Sequence, residues 1–438
     1  MPDPEALLGQ LDRQLPRPVG YWVAYSGGLD STVLLHLLAT LRPRLAAPLA
    51  AIHVDHGLQP ESPAWAEHCR RVCAELEIPL HSLQVDATPR SGESPEAAAR
   101  QARYAAIAEI LGPQAMLLTA HHRDDQAETL LLQMLRGAGV EGLSAMPAVR
   151  PWNRGWLARP LLGVRRESIR AWGEARDLHW VEDPSNMLGA ADRNYLRHQV
   201  MPAILARWPA AVDSMSRSAE HCADAAGMLR CLAERDLRDV SIADRLELSH
   251  LRSLPPARSR NLLRQWLREH QAPPLSSRRL QDALQQLCHA RPDAEVRVAW
   301  GGVEIRRFRD QAWLIRPSPM AAERPMIDWV GEELRLATGL GRVRRFEAAG
   351  GISPQAWRDG RVQIGYRDSG FQCRPAGRSG SRTFKKIAQE YGIPPWQRDM
   401  VPVLLIDGRP AAVANYCICQ PFAADADQLG WMIEWIPD

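Results

Sequence analysis

Residues 19–41 read Val-Gly-Tyr-Trp-Val-Ala-Tyr-Ser-Gly-Gly-Leu-Asp-Ser-Thr-Val-Leu-Leu-His-Leu-Leu-Ala-Thr-Leu, and this stretch decides the fold. Tyr21–Tyr25 is an apolar run of strand length. Ser26–Ser31 is a glycine turn carrying two hydroxyls and a carboxylate, and the helical run Thr32–Leu41 follows without a break. A buried strand that opens through glycines into a helix directs backbone N–H groups toward the positive helix end, which makes an anion site. The same alternation continues outward. Strand-like runs at Leu49–Val54, Leu80–Val85 and Ala115–Ala120 are separated by helical runs near Pro63–Glu77 and Ser94–Leu111, and another helix is expected at Asp124–Arg136. Such alternation predicts an α/β fold, a doubly wound parallel sheet covered on both faces. Polar clusters follow three of the strands, at Ser26–Ser31, Asp55–His56 and His121–Asp125. All three are expected to meet at the carboxyl edge of the sheet.

At 438 residues the chain exceeds one ordinary core. The expected division is a catalytic domain over 1–205, a mostly helical segment over 206–320, a linker over 321–360 and a small α+β module over 361–438. A Pro-rich patch at Arg316–Pro319 marks a break. No apolar run approaches about 18 residues, and the opening MPDPEALLGQLDRQL lacks a signal peptide's apolar centre. A cytoplasmic location is expected, with the eight scattered cysteines as reduced thiols and no membrane partner. The net charge of +3 is uneven: residues 201–320 and 341–400 are basic, whereas residues 1–200 are slightly acidic. That suits a polyanion gripped by appended domains and acted on elsewhere. Of the 54 cationic residues only Lys385 and Lys386 are lysines, so nothing before them can serve as a phosphate-loop or Schiff-base lysine.

A Walker loop needs Gly-Lys-Ser/Thr, which is absent. The turn must therefore bind phosphates through Ser26, Gly27, Gly28, Leu29, Asp30 and Ser31, with arginines nearby. Asp30 is placed to hold Mg2+ against the same phosphates. In His121-His122-Arg123-Asp124-Asp125-Gln126-Ala127-Glu128, one aspartate is expected to cap the following helix. Asp125 and Glu128 share a helical face. With His121 they are candidates to bind a metal (Asp125 beside Asp30), to bind a cationic substrate or to accept a proton. Gly137, Gly139 and Gly142 match a dinucleotide fingerprint but follow a helix instead of a strand, so that reading is rejected.

SGGLDS at Ser26 resembles the pyrophosphate loop of the N-type ATP pyrophosphatases. Within that superfamily the chain resembles the bacterial tRNA(Ile)-lysidine synthetases. The matching pieces are HVDHGL at His53, AARQARY at Ala98, HHRDDQAET at His121, RGAGVEGLSAM at Arg136 and RPLLGVRR at Arg159. They continue with EDPSN at Glu182, DRNYLR at Asp192 and GRSGSRTFKKIAQEYGIPPWQRD at Gly377. They are collinear and span nearly the whole chain.

The resemblance implies ATP as cosubstrate with Mg2+, free L-lysine, and the isoleucine tRNA with a CAU anticodon. The ring carbonyl of the wobble cytidine is adenylated, and the lysine ε-amine then displaces AMP to give lysidine. It implies a catalytic set of Asp30, His121, Asp125, Glu128 and Arg193. Arg100 or Arg103 joins Arg193 at the α-phosphate. Arg378, Arg382, Lys385 and Lys386 are expected to grip tRNA phosphates, with Trp396 stacking. The oligomeric state is left open, a homodimer being one expectation. The rival readings are a tRNA thiolase of the same superfamily, for which the close pairs Cys69/Cys73 and Cys417/Cys419 would have to be reactive instead of buried thiols, and a non-catalytic tRNA-binding protein on the same fold.

Overall fold

The computed structural model describes all residues except 1, 15–16, 56, 58–60, 87, 89–94, 183–191, 239, 243–244, 292–293, 318–323, 369, 426 and 438. His56, Ser318, Pro319 and the Asp183–Asn186 part of the EDPSN motif lie outside the described residues. The chain forms two compact units, Met1–Leu232 and Ala233–Asp438.

In the first unit the order is α1 (Pro4–Gln14), β1 (Gly20–Ala24), α2 (Leu29–Leu41), β2 (Leu49–Asp55), α3 (Ser62–Glu75), β3 (Leu80–Gln84), α4 (Pro95–Ile110) and β4 (Ala115–Leu118). Then come α5 (Arg123–Leu135), α6 (Val140–Leu143), β5 (Val149–Trp152), β6 (Gly155–Ala158), α7 (Arg166–Glu174), α8 (Asp192–Tyr195), α9 (Met201–Arg207) and α10 (Ala211–Leu237). A π-helical turn, Leu196–Val200, joins α8 to α9. The sheet order is β3-β2-β1-β4-β6-β5, parallel except for the β5–β6 hairpin. That hairpin was not expected from sequence, because each arm is only four residues long.

Alternation along β1 sends Tyr21 and Val23 to one face, against the fully buried Val33, Leu34, Leu37 and Leu38 of α2. Trp22 and Ala24 go to the other face with Ile52, Ile107, Leu117 and Leu157. Each such side chain contributes about 1.5–3 kcal/mol when fully buried. Strand order reverses between β1 and β4, so the crevice of this doubly wound sheet opens at their carboxyl ends. The loops leaving those strands are Ser26–Gly28 and Thr119–His122. The dinucleotide-like glycines lie after α5, as expected, and not after a strand.

Three helices near this crevice are tied by one carboxylate. Asp213 of α10 accepts from Arg123 (2.7 Å), the first residue of α5, and from Arg165 (3.0 Å), the N-cap of α7. Asp124 accepts the Arg166 N–H at 2.8 Å and so satisfies the first turn of α7.

The second unit begins with β7 (Ser241–Ile242), β8 (Arg245–Glu247), α11 (Leu248–Ser253), α12 (Pro256–Glu269), α13 (Ser277–His289), β9 (Arg297–Trp300), β10 (Val303–Phe308) and β11 (Gln311–Ile315). Helices dominate up to residue 289, but the five strands form an antiparallel sheet ordered β7-β8-β11-β10-β9 that the sequence reading lacked. Those strands are short and interleaved with arginines, which blurs the apolar alternation. Trp266, Leu262 and Ile305 centre their core.

The remainder comprises β12 (Ile327–Asp328), β13 (Glu333–Arg335), β14 (Arg342–Ala349), α14 (Pro354–Asp359), β15 (Val362–Gly365), β16 (Gln372–Cys373), β17 (Arg382–Thr383) and α15 (Phe384–Glu390). It ends with β18 (Val403–Ile406), β19 (Arg409–Val413), β20 (Cys417–Ile418) and β21 (Leu429–Ile436). Sheets β12-β15-β18-β19-β20 and β13-β14-β21 share one core. Here the thiol expectation is corrected: Cys373 and Cys419 form a disulfide across 46 residues. Their sequence separation hid a proximity created by the pairing of Pro375 with Cys419. Among the described residues no helix is long and apolar enough to cross a membrane.

The bonds from Arg165 and Arg123 pull Asp213 down to about 2, below the ordinary carboxylate value of about 3.9. A depressed carboxylate contributes stability that is present above its unfolded pKa and lost as pH falls through the folded one. Denaturation of the wild type should therefore become easier between about pH 4 and pH 2. The Asp213→Asn variant should start lower at pH 6 and lose less on acidification. Identical acid profiles would show that the three-helix tie contributes nothing.

Candidate active site

Gly28, in extended conformation, is the N-cap of α2, so the free N–H groups of the first turn face the crevice. The turn is held rigid by its own hydroxyls. Ser31 Oγ accepts from the Ser26 N–H (3.2 Å), lies 3.0 Å from Ser26 Oγ and donates to the Gly28 carbonyl (3.0 Å). Gly27 is required twice over. Its φ is +80°, and a Cβ there would stand 3.0 Å from Cys69 Sγ. From behind, the Val181 N–H donates to the Gly27 carbonyl at 2.9 Å.

Asp30 leaves this turn with Oδ2 3.7 Å from His122 Nε2 and with Oδ1 buried and unpaired. Burial raises its pKa, against the opposing pull of His122. A buried carboxylate oxygen without a partner, beside a phosphate cradle, fits a hard cation. Asp125 does not fit that role as well. Its Oδ2 accepts the His122 N–H (2.9 Å), and its Oδ1 is taken at 2.9 Å by both Arg193 and Arg197. No group of three potential metal ligands occurs among the described residues.

His122 is the N-cap of α5 and forms a reciprocal capping box with Asp125. The cap of α5 is thus a histidine, with Asp125 answering it from the third helical position, while Asp124 serves the start of α7 instead of its own helix.

Beneath the cavity lies a lattice of charge. Glu128, 3% exposed, takes Arg193 Nε at 2.8 Å, Arg197 Nε at 2.7 Å and Arg197 Nη2 at 2.9 Å. Burial alone would lower the pKa of Arg197, but the bond to Glu128 and the charges of Glu128, Asp125 and Asp30 overcome it and raise the value. Burial pushes Asp125 up, yet His122 and Arg193 more than reverse this, so it stays ionised. Both carboxylate oxygens of Glu128 are thus occupied by arginine donors. Arg197, the last residue of the DRNYLR motif and assigned no role from sequence, reaches the cavity wall, whereas Arg193 is not in that wall. The signal was present: Arg193 and Arg197 are four apart, the spacing that meets Asp125 and Glu128 on the facing helix.

The cavity itself is about 570 Å3, within the usual range for a small-molecule site. The structure brings to its wall Ser26, Gly28, Leu29, Asp30, Ser31, His121 and Asp125, together with Arg100, Arg103 and Arg197. Gly27 lies behind it. Arg166 and Arg170 of α7 were not anticipated. His121 contacts Thr119 Oγ1 through Nδ1 at 2.9 Å. Burial holds its pKa near 3 against the opposing charge of Asp125, with Arg159, Arg193 and Arg100 adding to the lowering, so the ring is uncharged at neutral pH. Cys69 and Cys73 are buried, and burial pushes both thiols up to about 12, which leaves no reactive thiolate there.

In the second unit Lys385 and Lys386 are exposed on α15, while Arg378 and Arg382 both pair with Glu390 at 3.3 and 3.2 Å. Trp396 is not a free stacking ring. It meets Phe308 and Trp313 edge-on, with centroids 6.1 and 5.9 Å away, and the Arg306 guanidinium lies 5.4 Å from its centre.

Residues 10–204 match the PP-loop domain, 246–313 the TilS substrate binding domain and 362–435 the TilS substrate C-terminal domain. The tRNA(Ile)-lysidine synthase of Methylococcus capsulatus is 41% identical over 424 residues, covering 95% of this chain and 96% of its own. That of Alkalilimnicola ehrlichii is 45% identical over 406 residues, covering 92% and 91%. That of Pseudomonas aeruginosa is 41% identical over 434 residues, covering 96% and 94%. The chain belongs to the tRNA(Ile)-lysidine synthase family of ATP-binding, PP-loop, tRNA-modifying ligases.

Proposed function

We propose that the protein joins free lysine to the wobble cytidine of the CAU-anticodon isoleucine tRNA in two steps within this one cavity. In the first, the ring carbonyl oxygen of the cytidine attacks the α-phosphorus of ATP and pyrophosphate leaves. In the second, the lysine ε-amine attacks the activated ring carbon, AMP leaves and the amine gives up a proton. The observation that carries the reading is a preformed phosphate cradle facing a wall of arginines and an uncharged histidine across one cavity.

The α2 N-terminus and the Ser26–Ser31 turn receive the phosphates. Arg197, oriented by Glu128, meets the charge that develops on the α-phosphate, with Arg100 or Arg103 opposite. A magnesium ion held by Asp30 Oδ1 would offset the charge of the leaving pyrophosphate. A lysine amine has an unperturbed pKa of about 10.4 and must lose its charge to attack. The crowd of arginines favours that neutral form. His121 accepts the proton, its basicity raised once the anionic phosphates counter the arginines that suppress it. The basic second unit, with Lys385 and Lys386 exposed on α15, supports binding of the tRNA backbone.

The direct test is incubation with ATP, magnesium, labelled lysine and that tRNA. Label should enter the RNA only when all are present, and incorporation of sulfur from cysteine or sulfide without lysine would overturn the reading. Asp30→Ala should abolish tRNA-dependent pyrophosphate release while tRNA affinity, read by filter binding, stays near wild type. Loss of tRNA affinity would mean that the turn does not serve the nucleotide. His121→Asn should keep pyrophosphate release but slow lysine transfer by about 10^2–10^4-fold. Equal slowing of both steps would remove His121 from the proton path.

A further inference from the structure

Two aromatic side chains stand in the cavity wall, Tyr104 of α4 and Trp180, six residues beyond the end of α7. Adenylation of a tRNA base brings two heterocycles into one cavity, the adenine of ATP and the cytosine. We propose that Trp180 is the platform on which the extruded wobble cytosine stacks. This rests on the proposed function and assigns a binding surface within it.

Reach separates the two rings. The cytosine oxygen bonds to the α-phosphorus, so the cytosine ring must lie directly beside the phosphate turn. Adenine is separated from the same phosphorus by a ribose. The ring anchored beside the turn therefore serves the cytosine, and that ring is Trp180. Its neighbour Val181 donates its N–H to the Gly27 carbonyl at 2.9 Å. The point where a Cβ on Gly173 would stand is 3.4 Å from Trp180 Cζ3 and 3.5 Å from Leu29 Cδ1, which puts the indole next to the first residue of α2.

The other ring is already engaged. Arg100 lies 5.1 Å from the centre of Tyr104, and Trp152 meets it edge-on at 5.7 Å. Tyr104 also packs against the cluster of Ile52, Ile107 and Leu117 on the far face of the sheet.

Trp180 is held without being covered. It packs against the core that contains Leu29 and Trp172, remains half-buried, and has the Arg170 guanidinium 5.8 Å from its centre. A base taken out of its stack needs such a fixed π-face, and an adjacent guanidinium adds attraction for the nucleotide.

The test uses the full-length enzyme with Trp180→Ala and Trp180→Phe. Loss of one base–aromatic stack should lower kcat/KM for the tRNA by about 5- to 150-fold in Trp180→Ala, with affinity for a non-hydrolysable ATP analogue within about twofold of wild type. Trp180→Phe should recover most of the loss, which separates stacking from misfolding. Pyrrolocytidine at the wobble position of the tRNA should be quenched on binding wild type and Trp180→Phe, but not Trp180→Ala. Quenching that survives in Trp180→Ala overturns the proposal, as does a loss of ATP affinity matching the loss in tRNA efficiency, which would make Trp180 the adenine wall. The quenching needs no lysine transfer, so a wild type that quenches yet incorporates no lysine fails the proposed reaction and leaves the platform standing.

Discussion

Two carboxylates, Asp125 and Glu128, lie buried under the cavity, and two guanidinium groups, Arg193 and Arg197, each pair with both. Neither pair of charges is tolerable there alone, because an unpaired buried ion costs several kcal/mol and removing one partner costs about 3–5 kcal/mol. The pairing does more than balance charge. It docks the segment from α8 through the π-helical turn onto α5, a contact between residues more than 60 positions apart. It thereby carries Arg197 to the place where a phosphate is expected. A π-turn inside an otherwise continuous helical run is a common mark of a functional position, and Arg197 sits in this one.

Around that lattice the positions are fixed by backbone hydrogen bonds. The capping box at His122 sets the start of α5, Asp124 sets the start of α7, and Asp213 binds both helices to α10. The glycine turn is braced by its own serines on one side and by Val181 on the other. A site built this way needs little rearrangement to receive charge, which is the condition for electrostatic stabilisation of a reacting phosphate. It also explains how a phosphate-handling enzyme works without a loop lysine: helix-end amides and arginines held by carboxylates supply the positive field.

Much of this was legible beforehand because it is local. The strand–turn–helix at Tyr21–Leu41 and the cluster at His121–Glu128 each lie within one continuous stretch, and the sheet edge unites them by a general rule. The features that escaped the sequence reading depend on pairing at long range. Arg197 acquires its role only when α8 meets α5. Glu128, a candidate base on its own helix, becomes a support once two arginines cover it. Cys373 and Cys419 are joined by the fold, and Trp396 loses its free face to Phe308 and Trp313. The sheet at 297–315 was hidden because its strands are only four to six residues long and the adjacent Arg306 and Arg307 break the alternation of β10.

In the proposed reaction the phosphate turn directs cleavage of ATP between the α and β phosphates and leaves the nucleotide on the wobble base. The most direct measurement is to incubate the enzyme with the tRNA and ATP, omit lysine, and locate the radiolabel after nuclease digestion. Label from the α-phosphate should be found on the wobble cytidine, none should come from the γ-phosphate, and the adduct should vanish when lysine is added. Transfer of the γ-phosphate, or release of ADP in place of pyrophosphate, would contradict the account.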